Sequence, residues 1–493
     1  MKQGHVMLVG AGPGDEKLIT VKGMEAIRKA DVILYDRLAN PKLLTYAKEG
    51  CELIYGGKLP KRHMLRQEVI NQTLVEKALE GNLVVRLKGG DPNVFGRVGE
   101  EAATLAEYGI SYEIVPGITS GIAAPAYAGI PVTHRDYGGS FAMVTAHDKS
   151  LDGKPSVNWE GLAKGVDTIA FYMGVANLTY ICENLIKHGK PATTPVILIQ
   201  WGTFGRQKTL EGTLTTIADK AEAVQFTNPA ITLVGDIVAL REKIAWFENK
   251  PLQGEQILLA RTDVGPSTLA NQLTELGADV VEFPKMKKVT LPMNPVRERV
   301  LDEIEQYGTI LFSNPDSPTI FFEELWRAGK DIRSLKGKIY GTSRRTVKAL
   351  QNYGLRADFT EQVPEGVQEP VLIVGERSLD GQQWCFALHY TKYELFMTHE
   401  TLLDESYLPI FQRILEDTNF TSVLFPCSKS VRILQDNLEQ KDKILANLTV
   451  LCFDEKTAQR LRDCRIQDIT ILETPDAEGV KQFFIQNGSL IQV

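Results

Sequence analysis

Cysteine is scarce in this chain and badly spaced for structural work. Its six copies (Cys51, Cys182, Cys385, Cys427, Cys452, Cys464) form no C-x-x-C pair. That spacing excludes a zinc module and a disulfide framework, and no metal is expected. No apolar run approaches the roughly 20 residues needed to cross a bilayer. Met1-Lys2-Gln3-Gly4-His5 runs straight into the strand-like Val6-Met7-Leu8-Val9, without the charged and apolar stretches of a secretory leader. Scattered reduced thiols and no leader make the cytoplasm the expected compartment. An excess of basic charge is missing too: the net charge is -7. A nucleic-acid scaffold usually carries a basic stripe, so that class is disfavoured. An acidic protein can still hold an anionic ligand in a locally basic cleft.

What is present is an ordinary globular composition, 43% hydrophobic and 24% charged over 493 residues, too long for one core. In the first half, strand-like runs alternate with amphipathic segments: Val6–Val9, then Leu18–Lys29, Asp31–Asp36 and Leu83–Leu87. Phe141–Thr145, Thr168–Tyr172, Val196–Gln200 and Ala230–Val234 continue the series. Such alternation predicts an α/β fold with helices covering a sheet. Glu248–Gly254 is the expected domain boundary, because the strand pattern restarts at Gln256–Ala260. The second half holds a weak repeat. Gly341–Thr346 precedes Val347–Leu350, and Phe453–Thr457 precedes Ala458–Leu461, with Thr346 and Thr457 expected as helix caps and Thr268 as a third.

Four Gly- and Pro-rich turns carry the chemistry. Val9-Gly10-Ala11-Gly12-Pro13-Gly14-Asp15 has glycines after a strand, but G-x-G-x-G followed by no clear ribose-binding acid does not fit a nicotinamide fingerprint. Lys88-Gly89-Gly90-Asp91-Pro92 exposes backbone groups at a strand exit, suited to the amino-acid end of a zwitterionic cofactor. Val115–Gly121 and Ile130–Tyr137 complete the set.

In that order, with Tyr35-Asp36-Arg37-Leu38 between the first and second, these turns resemble the tetrapyrrole methylases, nearest to the uroporphyrinogen-III C-methyltransferase type. The resemblance covers residues 1 to about 248. It implies a dimeric α/β domain of two lobes that holds S-adenosyl-L-methionine in a cleft. It also implies methyl transfer to C2 and C7 of uroporphyrinogen III, giving precorrin-2 on the way to sirohaem or cobalamin. Asp36 is the implied proton acceptor, against the plainer reading of a solvated acid at a strand end. Lys58 matches the proton donor, with a clamp for a substrate carboxylate as the open alternative. Implied cofactor contacts are Pro13, Gly89, Gly90, Asp91, Val94, Thr119, Ser120, Met173, Gly202 and Ala230. A methionine at a strand end is otherwise core filler. Arg37, Arg97, His134 and Arg135 are candidates for the substrate's carboxylates, since arginine pairs with them in bidentate fashion. Val98 and Leu59 depart from the family, which usually has Gly and Arg there. Methylation of another substrate, such as ribosomal RNA, is disfavoured by the acidic balance.

Residues 254–493 resemble uroporphyrinogen-III synthase, through Ile257–Thr262, Leu273–Ala278, Ile310–Pro315, Gly341–Thr346 and Leu424–Ser428. That resemblance implies two α/β lobes, one inserted into the other at about 290–390, and cofactor-free closure of hydroxymethylbilane. Tyr390 matches the tyrosine that helps the hydroxyl leave, with Tyr393 a competitor. Phe425, Cys427, Lys456 and Arg344 replace expected residues. A non-catalytic tetrapyrrole-binding or docking module is therefore the alternative for this half.

Overall fold

The computed structural model describes residues 4–57, 67–146, 153–360, 366–377, 389–439, 444–445 and 447–487. The first five strands are β1 (His5–Gly10), β2 (Val32–Tyr35), β3 (Glu52–Tyr55), β4 (Leu83–Lys88) and β5 (Ser111–Val115). They form one parallel sheet in the order β3-β2-β4-β1-β5. Helices Val21–Lys29, Gln67–Leu79 and Val98–Glu107 make the crossovers. With helices on its faces, β2 reads Val-Ile-Leu-Tyr and is buried throughout, as a covered parallel strand must be. Thr20 fixes the start of the first helix by accepting the Gly23 N–H at 3.1 Å.

The next five are β6 (Phe141–Thr145), β7 (Thr168–Tyr172), β8 (Pro195–Gln200), β9 (Lys208–Thr213) and β10 (Ala230–Val234). Their order is β6-β7-β10-β8-β9, and only β6 and β7 are parallel. Strands then continue as β11 (Gln256–Ala260), β12 (Asp279–Phe283), β13 (Met286–Thr290), β14 (Thr309–Phe312), β15 (Lys338–Gly341) and β16 (Asp358–Phe359). The last five are β17 (Val371–Glu376), β18 (Tyr393–Leu403), β19 (Ser422–Phe425), β20 (Thr449–Cys452) and β21 (Ile469–Ile471). A third, parallel sheet runs β12-β11-β19-β20-β21; a fourth runs β13-β18-β17-β14-β15-β16 with β13 antiparallel to its neighbour.

The compact units cut across the linear order. One holds Met1–Ala260, Ser267–Phe283 and Ser406–Val493; the other holds Arg261–Pro266 and Pro284–Glu405. The second unit thus extends past both ends of the insert expected at 290–390. Glu248–Gly254 is indeed a string of turns, but packing continues across it. Leu252 is fully buried, and the Gly254 N–H donates to the Gly205 carbonyl at 2.8 Å. In the first unit, Val9, Tyr35 and Leu43 share one apolar core with Leu258, Phe283 and Phe411. The second unit has its own core, rich in Phe312, Phe321, Phe322 and Phe396.

The expected threonine caps are corrected by one to three residues. Ser343, Asp454 and Ser267 hold the cap positions and accept the N–H groups of Thr346, Thr457 and Ala270. Thr346 and Thr457 lie inside the first turn and bond back to the cap through their hydroxyls, at 2.8 and 2.9 Å. A short side chain one residue before the helix reaches the third N–H without strain, which is why the cap falls there.

Candidate functional site

The parallel sheet aims the carboxyl ends of β1, β2, β4 and β5 at one edge, the usual place for a ligand in such sheets. In the second sheet, the register sets Ile231 opposite Tyr172 and Ala230 opposite Gln200. The start of β10 therefore lies beside the exits of β7 and β8. Together these ends line a cavity of about 1300 Å³. Small-ligand pockets usually span about 300–1000 Å³, so there is room for more than one drug-sized molecule.

The glycine turns meet backbone to backbone. Gly12 and Gly90 exchange both hydrogen bonds, at 3.2 and 2.7 Å. A Cβ on Gly117 would lie 2.3 Å from the Gly90 carbonyl oxygen, so only glycine allows this approach. Gly90 itself has φ of +69° and leaves its cavity side open. Asp91 ties the turns together, accepting from the Asn93 N–H at 2.7 Å and the Gly117 N–H at 3.3 Å. Thr119 caps the helix Ser120–Tyr127 without a side-chain cap bond; its hydroxyl meets the Tyr172 hydroxyl at 2.6 Å instead.

Of the residues expected at the site, Pro13, Asp36, Gly89, Gly90 and Asp91 line the cavity. So do Val94, Thr119, Ser120, Met173, Gly202 and Ala230. Met173 is not core filler: it is 46% exposed with φ of +58°, a strained conformation of the kind that clusters at functional sites. Lys58 and Leu59 lie outside the described residues. Tyr390 belongs to the second unit, half-buried against Leu311, Tyr340, Val371 and Ile373, and burial raises its phenol above the usual range. Arg37 and Arg97 line the cavity, whereas His134 and Arg135 do not. His134 closes its own turn, its N–H donating to the Gly138 carbonyl at 3.0 Å.

Sequence reasoning missed a buried charge cluster in the cavity wall. Arg86 and Lys88 sit two apart on β4, hence on one face. Both are almost fully buried. Arg86 donates to Asp36 Oδ1 at 2.5 Å and to Glu101 Oε1 at 3.1 Å, and Lys88 reaches the same Glu101 oxygen at 2.7 Å. Tyr35 pairs with Leu87 across the sheet, which brings Asp36 alongside. Among the described residues, Asp36 Oδ2 has no protein hydrogen-bond partner, and buried Glu101 Oε2 has none either. Burial pushes the Lys88 ammonium below its usual value and Arg86 adds to this, against the pull of Glu101 and Asp36. Two charged residues within a six-residue strand were the available signal, because such charge is rare in a central parallel strand unless it is paired.

The profile of the tetrapyrrole (corrin/porphyrin) methylases matches residues 5–218, and that of uroporphyrinogen-III synthase HemD matches residues 267–371. The chain belongs to the tetrapyrrole methylases, with a HemD-like region following the methylase fold. It is 47% identical over 441 residues to a uroporphyrinogen-III C-methyltransferase of Bacillus subtilis (strain 168), covering 89% of each chain. It is 41% identical over 367 residues to the porphyrin biosynthesis protein HemD of Ruminiclostridium josui, covering 74% of this chain and 73% of that one. A solved uroporphyrin-III C-methyl transferase from Thermus thermophilus, complexed with S-adenyl homocysteine, is 35% identical. It covers 48% of this chain and all of its own, with a TM-score of 0.42.

Proposed function

We propose that this chain methylates uroporphyrinogen III at C2 and C7 with S-adenosyl-L-methionine, giving precorrin-2, and that its C-terminal half closes hydroxymethylbilane to uroporphyrinogen III. One observation carries the proposal: eleven residues drawn from separate turns converge on a single cavity large enough for a cofactor and a tetrapyrrole together. Family membership over nearly the whole chain agrees with it.

The cradle fits the cofactor. Gly90 offers backbone with its Cβ side open, Gly89 packs its backbone against Leu38, Thr119 and Ser120 begin a helix beside them, and Met173, Gly202 and Ala230 lie at the ends of the second sheet. Bound there, S-adenosylmethionine supplies an electrophilic methyl on its sulfonium. The protein's own task is then to hold a pyrrole carbon in line and to take up a proton from the cationic ring that results. Asp36 does the latter. Arg86 holds its Oδ1, which leaves Oδ2 to face the ring and accept the proton. Lys58 is the proposed donor or carboxylate clamp. Arg97 is half-exposed at the cavity, bidentate to Glu100 at 2.9 and 2.6 Å, and can turn to a substrate carboxylate. Tyr390 is the proposed helper of hydroxyl departure in the second reaction. A homodimer, implied by the family resemblance, and a cytoplasmic compartment complete the proposal.

A second reading keeps the methylation and makes the C-terminal half a binding or docking module. Cys427 favours it: it heads the helix Ser428–Asn437 without a side-chain cap bond, where a hydroxyl is expected.

The test supplies hydroxymethylbilane and S-adenosylmethionine to the full chain and resolves the tetrapyrroles by absorbance and isomer chromatography. Precorrin-2 above the spontaneous background is expected. Precorrin-2 only when uroporphyrinogen III is added supports the second reading. No methylation of either substrate overturns the proposal.

A further inference from the structure

The cavity wall is held partly by residues from the far end of the chain. Asp417, just after the helix Leu408–Leu415, splits its carboxylate between two arginines. Oδ1 accepts from Arg37 at 3.0 Å and Oδ2 from Arg413 at 2.7 Å. The almost fully buried Arg413 also donates to the Arg37 carbonyl at 2.9 Å. Arg37 is thus fixed by both side chain and backbone, one residue from Asp36.

Asp279, the first residue of β12, makes a parallel arrangement. It accepts from Arg206 at 2.6 Å and from Lys42 at 3.3 Å. The Arg206 guanidinium lies 4.5 Å from the ring centres of both Trp201 and Phe204, which line the cavity on either side of Gly202. Trp201 and Thr203 have φ of +49° and +74°, a backbone that persists only when its surroundings over-determine it. A Cβ on Gly205 would come within 2.4 Å of the Asp279 nitrogen, so the loop is pressed against the start of β12. Buried ion pairs are weak evidence for stability in themselves, and apolar contacts already join β12 and the helix Leu408–Leu415 to the first sheet. What distinguishes these pairs is that each ends on an element of the cavity wall.

We propose that Asp417 and Asp279, both in the HemD-like half, are positioning residues for methyl transfer: Asp417 sets Arg37 for the tetrapyrrole, and Asp279 sets the 201–206 loop for the cofactor. This rests on the function proposed above. The two acidic residues touch neither ligand; they act through Arg37 and through Arg206 with its stacked rings.

The experiment uses the full chain. Asp417→Asn is expected to raise KM for uroporphyrinogen III about tenfold, the worth of one charge-assisted hydrogen bond, with KM for S-adenosylmethionine unchanged. Asp279→Asn reverses the pattern. It also weakens calorimetric binding of S-adenosylhomocysteine about tenfold, which requires no turnover. Arg206→Lys, which keeps the charge and removes the flat stacking surface, serves if Asp279→Asn does not fold, and shares its signature. Asp417→Glu and Asp279→Glu recover part of each effect. Unchanged KM values and binding in folded variants overturn the inference, as does a uniform loss of kcat in both with neither KM moved. A wild-type chain that binds S-adenosylhomocysteine but methylates nothing overturns the proposed reaction instead, and the binding arm still decides the role of Asp279.

Discussion

Arg86 and Arg297 are both buried arginines, each paired with a buried glutamate, in different units of the chain. Arg297 turns inward through its two terminal nitrogens, and its buried Nε has no partner among the described residues. It holds both Glu324 oxygens and the Leu291 and Pro292 carbonyls, and its ring neighbour is Phe396. Arg86 shares Glu101 with Lys88, reaches Asp36 at the cavity, and leaves one carboxylate oxygen on each partner without a hydrogen bond among the described residues. Burial and residue type are the same in both cases. The difference lies in where the network ends: one closes on itself, the other stops at a space large enough for ligands.

The comparison can be broken most sharply at Asp36. Asp36→Asn is expected to slow methyl transfer about 10²- to 10⁴-fold in single-turnover assays, with a smaller loss of stability than at Glu324 because Arg86 keeps Glu101. Glu324→Gln should do the opposite. It strands a buried guanidinium and costs about 3–5 kcal/mol of stability in denaturant titration, while methyl transfer under native conditions is retained. Arg297→Met with Glu324→Leu should recover most of that loss. Next in size, Gly117→Ala forces the Gly90 turn away and should cost about 1–3 kcal/mol, read as a lower melting temperature and weaker S-adenosylhomocysteine binding.

The smallest expected effect is in acid. Burial alone would raise Asp279, but Lys42 and Arg206 outweigh it and hold the carboxyl below its usual range; Asp417 behaves likewise beside Arg37 and Arg413. A depressed folded value stabilises the native state above the unfolded pKa of about 3.9. That contribution is lost as pH falls through the folded value. Melting temperature should therefore drop below about pH 4 in the wild type, and more gently in Asp279→Asn.

The cavity was largely legible from sequence because its walls are turns, where close backbone approach demands glycine at fixed spacing. The Gly12–Gly90 pairing and the Gly117 contact give that spacing its physical cause. Arg86 and Lys88 were not read, since alternating charge on a strand looks like a solvated face until the neighbours β2 and β1 are known. The role of Thr346 was misplaced because serine and threonine both suit a helix start, and only geometry separates the cap from the first turn. The inserted unit was expected at about 290–390 from the resemblance and spans Pro284–Glu405; what local pattern could not reach is that Ser267–Phe283 and Ser406–Val493 pack with residues hundreds of positions earlier.

That long-range packing has a consequence for how the chain is made. Val9 and Tyr35 leave the ribosome early, yet they share one core with Phe411, Phe425 and Leu461. At about 5–20 residues per second, the first sheet must wait tens of seconds for the segment that completes its surroundings. During synthesis, this apolar face therefore stays uncovered for that interval and is open to capture by a chaperone.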